Sequence, residues 1–227
     1  MVFGGIQKLT LLDFPHTVSC ILFTKGCNFR CPFCHNTPLV VPSETENLTE
    51  AEILSFLKKR QGILDGVCIT GGEPLIHPNL PDFIRKVKDL GYKVKLDTNG
   101  SFPLRLSHLI DEGLLDYVAM DVKNSFSKYP LTAGCDSIKL DDIEKSIALL
   151  LKGNIPYEFR TTVTSELHTE EDIAEICSLI KGADKYFIQN FVDSGDILKG
   201  GLHPMAQSEI EKMAYIAQNI VPNTKIR

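Results

Sequence analysis

Thr24-Lys25-Gly26-Cys27-Asn28-Phe29-Arg30-Cys31-Pro32-Phe33-Cys34-His35-Asn36 sets three cysteines in a C-x3-C-x2-C array. The array follows an apolar run, 18–23, that reads as a strand. Thiolates are the ligands of iron–sulfur clusters, and a four-iron cubane takes four of them. No fourth cysteine follows nearby, so one iron would lack a protein ligand. An open coordination position separates catalytic metal sites from closed structural ones. A zinc site shows four ligands, often as two Cys-x2-Cys pairs. His35 could complete a Cys3His set, but it directly follows Cys34, and adjacent ligands rarely converge on one tetrahedral ion. A disulfide framework fits poorly with seven cysteines, an odd number, in 227 residues without a secretory signal. A reducing compartment, the cytoplasm, is expected.

Working outward, the chain is long enough to bury a full core as one domain, 1–227, with residues 1–17 as a leader. Hydrophobic residues make up 43%, as in soluble globular proteins. No apolar run approaches the roughly 20 residues that span a membrane. A net charge of −5 leaves no basic footprint for nucleic acid. Neither membrane nor nucleic acid is expected as a partner. Cys20 and Cys68 fall in predicted strands, Cys135 in a loop, and Cys177 at helical spacing with Ile173, Ile176 and Ile180. They are too scattered for a second cluster.

Short apolar strands alternate with amphipathic helices. Strands are predicted at 18–23, 66–70, 93–97, 117–122, 157–163 and 186–191. Helices are predicted at 49–60, 81–90, 104–112, 141–152, from 169 to before Gly182, and at 207–220. Thr49 and Glu52 have capping-box spacing, Pro81 suits a first turn, and Gly91, Gly113 and Gly153 are stops. Six βα units imply a parallel sheet, either doubly wound or an incomplete barrel. Polar and glycine-rich stretches cluster just after the strands, where βα loops converge in barrel enzymes, and this favours the barrel. The leader reads as a strand or hairpin covering the barrel bottom.

Chemistry-bearing residues recur at the strand ends. The second strand ends in Gly71-Gly72-Glu73, where missing Cβ atoms allow close backbone approach. The third ends in Lys95-Leu96-Asp97-Thr98-Asn99-Gly100, and the fourth carries Asp121 and Lys123. A lone acid there is often a helix cap; two acids and a lysine at adjacent strand ends point to a site. Glu158, Arg160 and Thr162 alternate on one face of the fifth strand, and an inward arginine needs a partner, either Glu158 or a ligand. Gln189 and Asn190 end the sixth strand and can hydrogen-bond a ribose or adenine.

The stretch 24–36 resembles the signature of the radical S-adenosylmethionine enzymes. It is most similar to their glycyl-radical-activating branch, where an aromatic residue precedes the third cysteine and His-Asn follows it, here Phe33, His35 and Asn36. Residues 71–73 resemble the superfamily's GGE motif. Residues 97–100 and 121–123 resemble the DTNG and D-x-K motifs of formate-lyase activators. Gly4-Gly5-Ile6-Gln7-Lys8 and Leu11-Leu12-Asp13-Phe14-Pro15 resemble the branch's leader. The resemblance covers nearly the whole chain and is nearest to anaerobic ribonucleoside-triphosphate reductase activating proteins.

That resemblance implies an α/β fold, a partial (β/α)6 barrel. It implies a 4Fe–4S cluster on Cys27, Cys31 and Cys34, with S-adenosylmethionine on the open iron. The cofactor is cleaved to methionine and a 5′-deoxyadenosyl radical. That radical removes one hydrogen atom from a glycine Cα of anaerobic ribonucleotide reductase, with flavodoxin or ferredoxin as electron donor. Implied contacts are Gly71, Gly72 and Glu73 with the methionyl amino group, Lys123 with its carboxylate, Phe33 with adenine, and His203 with ribose. Asn36 would anchor the cysteine loop. Asp97, Thr98, Met120 and Asp121 would match the ligands of a monovalent cation. Pyruvate formate-lyase or another glycyl-radical enzyme is an alternative target. A small-molecule radical enzyme making a 7-deazapurine precursor is a further alternative, without an obvious extra acidic or metal-binding pocket to support it. A cluster-bearing electron carrier would leave the GGE and D-x-K motifs unexplained. No cysteine-rich insertion follows Cys34, so two-cluster activators match poorly.

Overall fold

The computed structural model describes residues 1–41, 47–193, 195 and 197–227. β1 (Val2–Thr10) runs antiparallel to β2 (Ser19–Thr24) and, on its other side, to β3 (Leu48–Thr49). From β2 onward every pairing is parallel: β4 (Gly66–Gly71), β5 (Lys93–Thr98), β6 (Tyr117–Asp121), β7 (Tyr157–Val163), β8 (Tyr186–Asn190) and β9 (Thr224–Ile226) follow in chain order. The order never reverses. A doubly wound sheet reverses at a switch point, so the arrangement is the open partial barrel.

The helices are α1 (Thr37–Val40), α2 (Glu50–Lys58), α3 (Leu80–Asp89), α4 (Pro103–Asp111), α5 (Tyr129–Ala133), α6 (Leu140–Leu151), α7 (Glu170–Leu179) and α8 (Gln207–Gln218). Six of them match the predicted six within two residues at each start. Capping boxes fix two starts: Thr49 with Glu52, and Thr169 with Asp172. In each, two orphan donors of the first turn are satisfied reciprocally. Alternation along the strands divides the side chains. Leu22, Ile69, Val94, Leu96, Val118 and Phe159 are buried with the helices on the outer face. The inner face carries most of the polar strand residues, from Cys68 and Thr70 on β4 to Arg160 and Thr162 on β7. Register aligns Cys68 with Lys95, Lys95 with Tyr117, Asp97 with Ala119, and Asp121 with Arg160. Those positions therefore line one surface.

Four elements were not legible in the sequence: β3, α1, α5 and β9. Each has five residues or fewer, too short to show a period. Most of the leader is β1, which extends the sheet edge. The following loop buries Phe14, whose ring lies 6.2 Å from that of Tyr117 at the N-terminal end of β6. Among the described residues no helix is long and apolar enough to cross a membrane.

Candidate functional site

The loop after β2 is clamped from two sides. Gly72 N donates to Thr24 O at 2.9 Å and Glu73 N to Gly26 O at 2.8 Å. Asn36 Nδ2 donates to Gly71 O at 3.0 Å, so Asn36 does anchor this loop. A Cβ on Gly72 would lie 1.9 Å from Gly26 O. The glycine is thus needed for approach to the chain's own backbone. On the far side, Arg30 N donates to Ala133 O at 2.8 Å. Gly134, at φ +60, ends α5 so closely beneath that a Cβ would meet Arg30 O at 2.1 Å. Gly72→Ala should break the first clamp. We expect iron retained after anaerobic reconstitution to fall several-fold and the melting temperature to drop by roughly 5 °C, two lost hydrogen bonds being worth about 2 kcal/mol together. Gly200→Ala, with open space around it, should change neither reading.

The clamped loop presents Cys27, Cys31 and Cys34 to one cleft. Among the described residues no three His, Cys, Asp or Glu side chains converge on a single ion. Burial pushes the Cys27 thiol up to about 12 and Cys31 up to about 11; Lys123 pulls Cys31 back. Loading such thiols with metal must expel their protons. Two amides already point at Cys27 Sγ: Phe29 N at 3.3 Å and Asn99 Nδ2 at 4.0 Å. Of the remaining cysteines, Cys20, Cys68 and Cys177 are buried and Cys135 is half-buried, and none of the four lines the cleft.

Across the cleft stands an array of charges. Arg160 bridges two acids, with Nε 2.8 Å from Asp121 Oδ1 and Nη1 3.1 Å from Asp97 Oδ2. Lys123 Nζ lies 3.0 Å from Asp121 Oδ2. Burial alone would raise both carboxyls; Arg160, with Lys123 at Asp121 and Lys95 at Asp97, more than reverses this and holds both below the usual range. Burial likewise disfavours the Lys123 ammonium, and Asp121 more than offsets it. His168 accepts from Thr164 N at Nδ1, so its Nε2 carries the proton donated to Lys123 O at 2.9 Å. Glu158 is not the partner of Arg160: it accepts from Tyr117 and Arg227. Glu73 closes the third wall. Leu75 N, Thr98 Oγ1 and Asn99 N all donate to it, at 3.0, 2.8 and 2.7 Å. Burial still pushes this carboxyl up to about 7.

The cleft therefore brings together Cys27, Cys31, Phe33, Cys34, Asn36, Gly71, Gly72, Glu73, Asp97, Asp121, Lys123 and Arg160. It does not reach Gln189 or His203. Gln189 shares the inner face with Thr162 but does not line the cleft. Asn190 bonds the backbone of Met205. His203 is exposed, with Nδ1 2.7 Å from Glu166 Oε1. Asn99, Thr162 and His35 also line the cleft. Asn99 was within reach of the sequence, as the third residue of the DTNG stretch. His35 stacks near Phe191, ring centroids 5.5 Å apart, a contact no local pattern announces.

The model of the Radical SAM superfamily matches residues 21–180, from β2 through α7. The chain belongs to the radical S-adenosylmethionine superfamily. Radical S-adenosylmethionine enzymes carry a 4Fe–4S cluster and use S-adenosylmethionine. Within the superfamily the chain is a homologue of the glycyl-radical enzyme activating enzymes. It is 35% identical to a Methanocaldococcus jannaschii protein provisionally named as one, over 99% of this chain and 95% of the relative. It is 26% identical to a 7-carboxy-7-deazaguanine synthase of Geobacter sulfurreducens, over 88% and 85% of the two chains. A domain of a pyruvate-formate lyase-activating enzyme from Bacteroides vulgatus shares its fold, with a TM-score of 0.59, 17% identity, and coverage of 71% of this chain and 98% of that one.

Proposed function

We propose that this chain activates anaerobic ribonucleoside-triphosphate reductase by abstracting one hydrogen atom from a glycine Cα of that protein. The observation that carries the chemistry is one cleft holding three thiols together with Asp97 and Asp121, each paired to Lys123 or Arg160. That donor set fits a cluster with one open iron beside an amino-acid carboxylate. The greater identity to the provisionally named activator, over nearly both whole chains, favours a protein substrate over a small molecule.

Cys27, Cys31 and Cys34 would hold three irons, and Asn36 and Gly72 would keep their loop in register. A 4Fe–4S cluster held by these three cysteines would supply the electron for reductive cleavage of S-adenosylmethionine. Lys123 and Arg160 would grip the methionyl carboxylate through charge-assisted hydrogen bonds. Asp97 and Asp121 aim those two cations. Glu73, at the end of β4, would face the amino group while fixing the DTNG loop. Phe33 walls the adenine side. Held this way, the reacting carbons are brought together, and positioning supplies much of the rate. We read residues 1–227 as a single domain working in the cytoplasm with flavodoxin or ferredoxin as reductant.

The test is electron paramagnetic resonance of the reductase glycine after incubation with reduced enzyme and S-adenosylmethionine. A doublet from the remaining Cα hydrogen is expected, collapsing when that glycine carries deuterium, with deuterium recovered in 5′-deoxyadenosine. A radical raised on pyruvate formate-lyase instead would reassign the target. Turnover of a purine precursor, with no protein radical, would overturn the activator reading.

A further inference from the structure

Beneath the cleft floor lies a lysine that the proposed roles leave unused. Lys95 sits mid-strand in β5, 1% exposed. Two residues before Asp97, it points to the same face. Its Nζ donates to Asp97 Oδ1, with Cys68 Sγ 3.8 Å away. A buried ammonium is costly to desolvate unless it is paired. Burial pulls its pKa down, but Asp97 more than offsets this, and Lys95 stays charged.

Asp97 and Asp121 are two residues that the resemblance matches to ligands of a monovalent cation. The residues present do not fit one. All four carboxylate oxygens are taken: Asp97 by Lys95 and Arg160, Asp121 by Arg160 and Lys123. Thr98 Oγ1, a third ligand by that match, donates to Glu73 at 2.8 Å instead. Met120 is buried on the other face of the sheet, against Gly100. The charges argue the same way. Three side-chain cations surround two carboxylates, so one positive charge is in excess. A single incoming carboxylate neutralises it. An added metal cation would leave the excess in place even after that carboxylate had bound.

We propose that Lys95 replaces the monovalent cation with a covalently fixed charge, so that this protein binds S-adenosylmethionine without sodium or potassium. Lys95 does not line the cleft. It is a positioning residue: it holds Asp97, which in turn aims Arg160 at the ligand carboxylate. The inference rests on the proposed use of S-adenosylmethionine by this cleft.

The test is calorimetric titration of S-adenosylmethionine into reconstituted holoenzyme at constant ionic strength, in potassium, sodium or tetramethylammonium chloride. The last cation is too large to sit between two carboxylates. Wild-type affinity should agree within about two-fold across the three salts. Lys95→Met should lose roughly ten-fold or more in tetramethylammonium, the scale of a lost charge-assisted contact, and regain affinity when potassium or sodium is added. Lys95→Arg should remain insensitive to salt identity. Regain by a small cation is a response that loss of packing alone would not give. A wild-type affinity that rises about ten-fold with potassium or sodium would overturn the inference without any variant. So would a Lys95→Met protein that binds as wild type in every salt. Absence of binding in all three salts would instead overturn the proposed function, and the inference with it.

Discussion

Cys31→Ala should strip the protein of its cluster, reducing bound iron from about four per chain to a small residue and abolishing cleavage of S-adenosylmethionine. Cys31 is the most buried of the three array cysteines, so no water can readily take its place at the iron. The neighbouring ties of the loop do not depend on its sulfur: Arg30 N still meets Ala133 O, and Asn36 still meets Gly71 O. The apoprotein should therefore keep its far-ultraviolet circular dichroism and melt within a few degrees of wild type. Cys177→Ala is the matched control. Cys177 is fully buried in α7 and does not line the cleft, and its loss should shave stability while sparing iron and cleavage. Iron analysis and high-performance liquid chromatography of 5′-deoxyadenosine read both outcomes. A Cys31→Ala protein that retained its iron and its cleavage would show that this array does not hold the cluster.

The loop that carries this prediction was legible because ligand chemistry leaves its mark on three nearby positions. The barrel was legible for a related reason. Each of the six predicted strands and each long helix carries its pattern over enough residues, and Thr49, Thr169 and the glycine stops punctuate them locally. What the sequence concealed was long-range. Gly72 reads as a glycine for a ligand, yet its neighbour is Gly26 O, across a β2–β4 pairing visible only in the fold. His203 reads as a late ribose ligand, yet the chain between β8 and α8 carries it to Glu166. Lys95 reads as one of the polar residues that alternate with Val94 and Leu96 along β5. Its Lys-x-Asp spacing does put both charges on one face, and that signal was available. That the face is the inside of a barrel, with Arg160 arriving from β7, depends on closure of the sheet.

Closure is also why Arg160→Leu should be the most damaging change outside the cysteine loop. The side chain is 14% exposed and spans two carboxylates contributed by different strands. Leucine would fill much of the volume and leave Asp97 and Asp121 with one cation each. Removing one member of a buried ionic network typically costs about 3–5 kcal/mol. In a chain of this size that corresponds to a fall in melting temperature of roughly 10 °C. The pH dependence identifies the cause. In the wild type both acids titrate below the usual range, chiefly because of Arg160 once burial is overcome. Their contribution to stability is present above the unfolded aspartate pKa of about 3.9 and is lost as pH falls through their depressed folded values. Without Arg160, burial dominates, the folded values rise, and the acids destabilise the variant most where they are ionised. The gap between wild type and variant should thus be widest near pH 7 and narrow below about pH 4, where protonated carboxyls need no counter-ion. Arg160→Lys, which restores charge but cannot bridge both acids, should fall between the two. Thermal melts of the apoprotein across that range measure it. A gap that stayed constant with pH would mean that the guanidinium stabilises by packing, and that Asp97 and Asp121 are held in place by Lys95 and Lys123 alone.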